Sequence, residues 1–324
     1  MDLIRTLTLR QLQIFICAAS HVSFARAAEE LHLTQPAVSM QIRQLEDTIG
    51  LALFERVGRG LALTEAGERF TRHAMRILGE LRDAEETLQS LSGAHAGSIT
   101  VGLVSTAKYF APKLLARYSE QFPAVDVRLV IGNRERLLKL LQDNGIDLAI
   151  MGRIPKGIDA VSEPLAPHPH VIIAPAHHAL REAKRFDLHE LRGEAFLLRE
   201  AGSGTRAVAE EMFKHHLFQP AKVVTLGSNE TIKQAVMAGM GVSLLSLHTL
   251  LLELRTGEIA LLDVNGTPIA RTWHIVHMAS KRLSPACKMF RQFLLDNSAL
   301  QLQADYDRFA TTPATLAESR ATPS

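Results

Sequence analysis

Thr34-Gln35-Pro36-Ala37-Val38-Ser39-Met40-Gln41-Ile42-Arg43-Gln44-Leu45-Glu46-Asp47-Thr48-Ile49-Gly50 is the stretch on which the fold turns. Thr34 can cap a helix through its hydroxyl, and Pro36 stands in the first turn, where its missing N–H costs nothing. Val38, Ile42, Leu45 and Ile49 then recur at intervals of four, three and four, one face of a helix that Gly50 ends. Gln35, Ala37, Ser39, Met40, Arg43 and Gln44 face outward or flank that seam. Upstream, Leu9, Leu12, Phe15, Ile16 and Ala19 predict an amphipathic helix over 8–20. Ser23 caps a shorter one carrying Phe24, Ala27, Ala28 and Leu31 and ending near His32. Two short helices joined by a tight turn, the second beginning with hydrogen-bonding side chains, form a helix-turn-helix whose second helix enters the major groove of DNA.

Residues 54–63 read as two short strands around a glycine turn, a wing that offers Arg56 and Arg59 to phosphates or a narrow minor groove. Composition gives no such lead. Residues 1–63 hold six Arg (5, 10, 26, 43, 56, 59), no Lys and six acids, which cancel, so placement carries the argument. Thr64 caps a long helix in which Phe70, Ala74, Ile77, Leu81, Ala84, Leu88 and Leu91 alternate by four and three. That is a heptad seam, predicted to pair with a second copy, although a helix packed on its own domain gives a similar stripe.

After the small residues of 92–97 the texture changes to short apolar runs alternating with helical patterns. Strands are predicted at 98–104, 125–131, 146–151, 171–174, 195–199, 222–226, 242–247 and 272–277, and helices at 108–122, 134–144, 205–217 and 230–238. This is an α/β domain with largely parallel, helix-covered sheets. From about 301 the chain becomes polar and then rich in Ala, Thr, Pro and Ser, the composition of a mobile tail. With 324 residues, 47% hydrophobic and 22% charged, the chain has the make-up of a multi-domain globular protein of the cytoplasm, with neither a secretory leader nor a membrane-spanning run. Its two cysteines, Cys17 and Cys287, suggest neither a disulfide framework nor a thiolate metal site.

Thr34-Gln35-Pro36-Ala37-Val38-Ser39, the wing start Phe54-Glu55-Arg56 and Leu63-Thr64-Glu65-Ala66-Gly67 together resemble the signature of LysR-type transcriptional regulators. The resemblance implies an N-terminal all-α winged helix-turn-helix over 1–63, a dimerising linker helix over 64–92 and a hinge at 93–97. A periplasmic-binding-protein-like effector domain of two α/β subdomains follows over 98–300, divided into 98–163 with 267–300 and 164–266, before the tail 301–324. It implies a homotetramer of two dimers, double-stranded operator DNA as partner and RNA polymerase as a further candidate partner. The expected DNA face comprises Ser23, Thr34, Gln35, Pro36, Ala37, Ser39, Met40, Arg43, Arg56 and Arg59, with Met40 where many members carry Arg. Val38–Arg43, Val104–Pro112, Met151-Gly152-Arg153 and Gly202-Ser203-Gly204-Thr205-Arg206 are similar to the branch that activates RuBisCO and other carbon-fixation operons.

Ser105 and Thr106 stand between a predicted strand and helix, where open α/β sheets bind ligands. Gly202, Ser203, Gly204, Thr205 and Arg206 repeat that placement, and Ser228-Asn229 does so again. Three helix N-termini, with Lys108, Asn133, Arg134 and Arg153 added, predict a cleft for a small anion, by the resemblance a phosphorylated metabolite, with an inorganic or carboxylate anion as the alternative. Gly202-Ser-Gly204-Thr-Arg-Ala207 also fits a dinucleotide fingerprint variant, so a nicotinamide nucleotide stays open as effector, though no acid follows about 20 residues on. No resident cofactor is expected. The histidines of 168–170, 177–178 and 215–216 lack metal-ligand spacing, and no GxSxG, HExxH or P-loop pattern marks an enzyme.

Overall fold

The computed structural model describes residues 3–58, 60–91, 97–155 and 157–310. Arg59, all of the expected hinge 93–97 except Gly97, and residues 311–324 lie outside them. The chain divides into two compact units, one of residues 1–94 with 142–145 and the other of the remainder.

In the first unit the helices are α1 (Leu3–Thr6), α2 (Leu9–His21), α3 (Phe24–Glu30) and α4 (Gln35–Ile49). An antiparallel pair β1 (Phe54–Val57) and β2 (Gly60–Leu63) follows, and then α5 (Glu65–Leu91). The starts of α2, α3 and α4 are each fixed by a side chain. Thr8, Ser23 and Thr34 accept from the amides of Gln11, Arg26 and Ala37, and Gly50 ends α4 at φ +77°. Leu12, Phe15, Ala27, Val38, Ile42 and Leu45 are buried together, and Ala74, Phe70 and Leu78 of α5 pack onto the same core. The expected seam is therefore shared. Its early members Phe70 and Ala74 serve this unit, while Ile77, Leu81, Ala84 and Leu88 are exposed, Leu88 at 68%.

The second unit opens with β3 (Gly97–Val104), α6 (Ala111–Gln121), β4 (Val125–Gly132), α7 (Arg134–Gln142), β5 (Leu148–Met151) and β6 (Ala160–Pro167). It continues through β7 (His170–Pro175), β8 (Ala195–Arg199), α8 (Gly204–His215), β9 (Lys222–Leu226), α9 (Asn229–Met237), β10 (Ser243–Ser246), α10 (Leu251–Thr256) and β11 (Ile259–Leu262). β12 (Thr272–Met278) and α11 (Pro285–Ala310) close it. The first lobe has one sheet in the order β4-β3-β5-β12-β6. The second repeats the plan, because β8-β9 joins β10-β7-β11 through the parallel bridge Phe196–Val242. Two cores result in each lobe, around Trp273, Phe290 and Tyr118 and around Leu137, Leu141 and Val276 in the first, and around Phe196, Phe213 and Phe218 and around Ile232, Val236 and Leu250 in the second.

Three expectations need correction. The sheets are mixed, since β12 runs antiparallel to β5 and β6, and β7 runs antiparallel to β10 and β11. The chain crosses between lobes near 168–170 and 269–271 rather than at 163 and 266, because Pro167 still pairs with Thr272 in the first sheet. The tail does not begin at 301, because α11 continues to Ala310 and buries Leu302 against the first core. β6, β11 and α11 had no counterpart among the predicted elements.

Candidate functional site

The DNA-facing candidates are held by α3, α4 and the wing. Inward Val38, Ile42, Leu45 and Ile49 fix the rotation of α4. That leaves Gln35, Pro36, Met40, Arg43 and Gln44 exposed, Met40 at 54%, with Ala37 and Ser39 half-buried beside them. Ser23 and Thr34 spend their hydroxyls as caps. The wing is tied to α4, for Glu46 Oε1 accepts from the amides of Leu53 and Phe54 at 2.7 and 3.1 Å. Thr64 donates to Ala52 O at 2.7 Å and accepts from Gly67 N. Gly67 is obligatory, since a Cβ there would stand 2.0 Å from Leu53 O. Arg56 is exposed on β1.

In the second unit the site lies at the carboxyl ends of β3, β4, β5 and β8, where the strand order reverses. Thr106, Ser203 and Thr205 are buried but line a cavity with Ser105, Asn133, Arg134, Arg153 and Gly204. Unlike Thr34 or Ser228, neither Thr106 nor Ser203 caps the helix it precedes, so both hydroxyls remain for a ligand. Arg134 Nε is buried without a partner, and Arg134 makes no ion pair among the described residues. Desolvation and the charge of Arg153 lower its pKa. Two guanidiniums that repel each other, facing hydroxyls and the N-terminus of a twelve-residue helix, make a site that gains from an anion. Room for about 30 Å³ is enclosed, and a second recess of about 600 Å³ shares the walls Arg134, Gly152 and Arg153 and adds Arg271 and His274.

His168 and His170 belong to this cavity too. His168 stacks on Trp273 at 3.7 Å, holds Ser246 Oγ through Nε2 at 3.0 Å, and leaves Nδ1 unpartnered, as does His170. Burial drives both pKa values down, that of His170 to about 3, so both are neutral at pH 7. The available signal was their spacing, since residues two apart in an extended chain point to one side.

Lys108, Gly202, Arg206 and Asn229 are not brought to the cavity. Lys108 pairs with Glu230 at 2.7 Å, and Arg206 turns along its own helix to Glu210. Asn229 is buried, where its Oδ1 accepts from Arg199 Nη1, which also donates to Ser105 Oγ. Gly202, at φ +80°, lies against Glu135 and Asn133. Lys108, Gly202 and, through Arg199, Asn229 tie one lobe to the other, whereas Arg206 stays within its own. Of the three expected helix starts two reach the cavity, and the start of α7 at Asn133 and Arg134 joins them.

Two family models match: the LysR substrate binding domain over residues 92–299, and the bacterial regulatory helix-turn-helix protein, lysR family, over 9–68. The HTH-type transcriptional regulator CfxR of Cupriavidus necator is 67% identical over 94% of this chain and 96% of its own length. The RuBisCO operon transcriptional regulator of Allochromatium vinosum is 44% identical over 90% and 97%. The regulatory domain of CcmR from Synechocystis PCC6803, solved in complex with 2-PG, aligns at a TM-score of 0.60 and 37% identity, covering 62% of this chain and 97% of that one. Among the described residues no helix is long and apolar enough to cross a membrane.

Proposed function

This chain belongs to the LysR family of bacterial helix-turn-helix regulators, and from that premise we propose that it controls a carbon-fixation operon in response to a small phosphorylated anion. The relatives supply the operon, for CfxR shares two residues in three with it and the Allochromatium regulator is named for RuBisCO. One observation carries the effector: Arg134, with its Nε buried and unpartnered, stands beside Arg153 in a cavity lined by uncapping hydroxyls. The Synechocystis domain was solved in complex with 2-PG, which gives the class of ligand.

An enclosed space of about 30 Å³ holds roughly one water. A phosphorylated ligand held there extends into the recess of about 600 Å³ that shares Arg134 and Arg153, and only its preference for one arrangement of the lobes can shift the protein. Exposed Ile77, Leu81 and Leu88 supply the seam along which two copies pair, so that lobe movement reaches two recognition helices at once.

Calorimetric titration of 2-PG and of inorganic phosphate into wild type, Thr106→Val and Arg134→Ala tests the reading, with footprinting on DNA upstream of the carbon-fixation operon. The expected result is that 2-PG binds wild type, binds each variant at least about tenfold more weakly, and alters the footprint without abolishing it. Undiminished binding in both variants places the effector elsewhere, and equal affinity for phosphate reduces the sensor to a bare anion site.

A further inference from the structure

We propose that Cys17, His21 and Glu30 form a site for a divalent transition metal ion of the zinc class, at the junction of α2 and α3 in the helix-turn-helix unit. Cys17 and His21 stand one turn apart on α2, the i, i+4 spacing that brings two side chains to one face, and Glu30 ends α3. One donor atom from each lies within 4.8 Å of the others. Zinc bonds of about 2.0–2.3 Å in a tetrahedron separate ligand atoms by about 3.3–3.6 Å, so modest side-chain rotations complete the set. Thiolate, imidazole and carboxylate are also the ligand types this class of ion selects.

The three are nine and four residues apart without a paired-cysteine pattern, so the site exists only once α3 has folded back on α2. His21 Nε2 and Glu30 Oε2 are hydrogen-bonded to each other at 2.5 Å, a contact that the ion would replace. Cys17 closes the inner side, its Sγ donating weakly to Ala27 O at 3.8 Å, whereas Glu30 is exposed and leaves the outer side to water as a fourth ligand. Without metal, His21–Glu30 is a surface pair of little energetic weight. With it, the helix before the recognition helix is clamped to the one behind.

The test uses the full chain, stripped with chelator and titrated with Co(II), which fills zinc sites visibly. One equivalent per chain should produce a thiolate-to-cobalt charge-transfer band that Zn(II) abolishes and that Cys287→Ser retains. Cys17→Ser should lose the band. His21→Gln, a change at a part-exposed position whose folding is checked by circular dichroism, should weaken cobalt binding by about tenfold or more. A wild type without the band, a band that survives Cys17→Ser, or unchanged affinity in folded His21→Gln overturns the proposal.

Discussion

Gly152 has a hydrogen where any other residue would place a carbon 2.4 Å from His168 Nδ1. The imidazole cannot retreat, being stacked on Trp273 and bonded to Ser246. Gly152→Ala should therefore cost about 1–3 kcal/mol, the usual range for an overpacked core, and weaken 2-PG binding, both read by urea unfolding with and without ligand. An unchanged midpoint would show that the ring moves freely. The same two imidazoles set a pH dependence. His168 and His170 titrate near 6.5 when unfolded and are depressed when folded, so their contribution is complete above 6.5 and is lost as pH falls toward about 3, the folded value of His170. Below 6.5 each should remove up to about 1.4 kcal/mol per pH unit. Thermal scans at pH 7 and pH 5 should show that loss, and a shallower one in His170→Phe. Of the expected residues Thr106, Arg134, Ser203 and Thr205 line the cavity, because short side chains and first-turn residues stay where the backbone puts them. Sequence misplaced Lys108 and Arg206 because long side chains choose partners by reach. Glu210, four residues beyond Arg206, was the visible warning.

At the scale of elements, α4 and the wing make separable contributions. Gln35 is exposed at the start of the recognition helix, so Gln35→Ala should cost about 1–3 kcal/mol on the specific operator and little on random DNA. Arg56→Ala should lower affinity for every duplex and flatten its salt dependence. Fluorescence anisotropy on operator and scrambled duplexes at several salt concentrations distinguishes them, and equal losses for Gln35→Ala on both would remove it from base readout. This unit was legible in detail because each boundary is written locally, in a cap, a proline or a glycine. The lobes were less so. β6 and β11 find their partners across long stretches of chain, and antiparallel β12 enters its sheet from more than 100 residues beyond β5, which no local period records.

For the whole molecule, the expected dimer rests on the part of α5 that its own unit leaves exposed. Leu81→Asp with Leu88→Asp should halve the molecular mass by light scattering or reduce it further, and weaken operator binding, while circular dichroism stays the same. An undiminished mass would assign those leucines to some other role. The domain order was legible because composition changes sharply at the junctions, while the crossing points were not, since strand pairing decides them. Those crossings have one more consequence. The two connecting strands are bonded to each other up to the turn, with His168 N donating to Arg271 O at 2.7 Å and His170 exchanging both bonds with Ile269. A paired ribbon of this kind is expected to flex about one line more readily than to shear, so a ligand in the proposed cleft would act through one hinge angle. Ligands of different shape should then rank on a common scale from full agonist to antagonist, and mixtures of two should average along it instead of evoking separate responses.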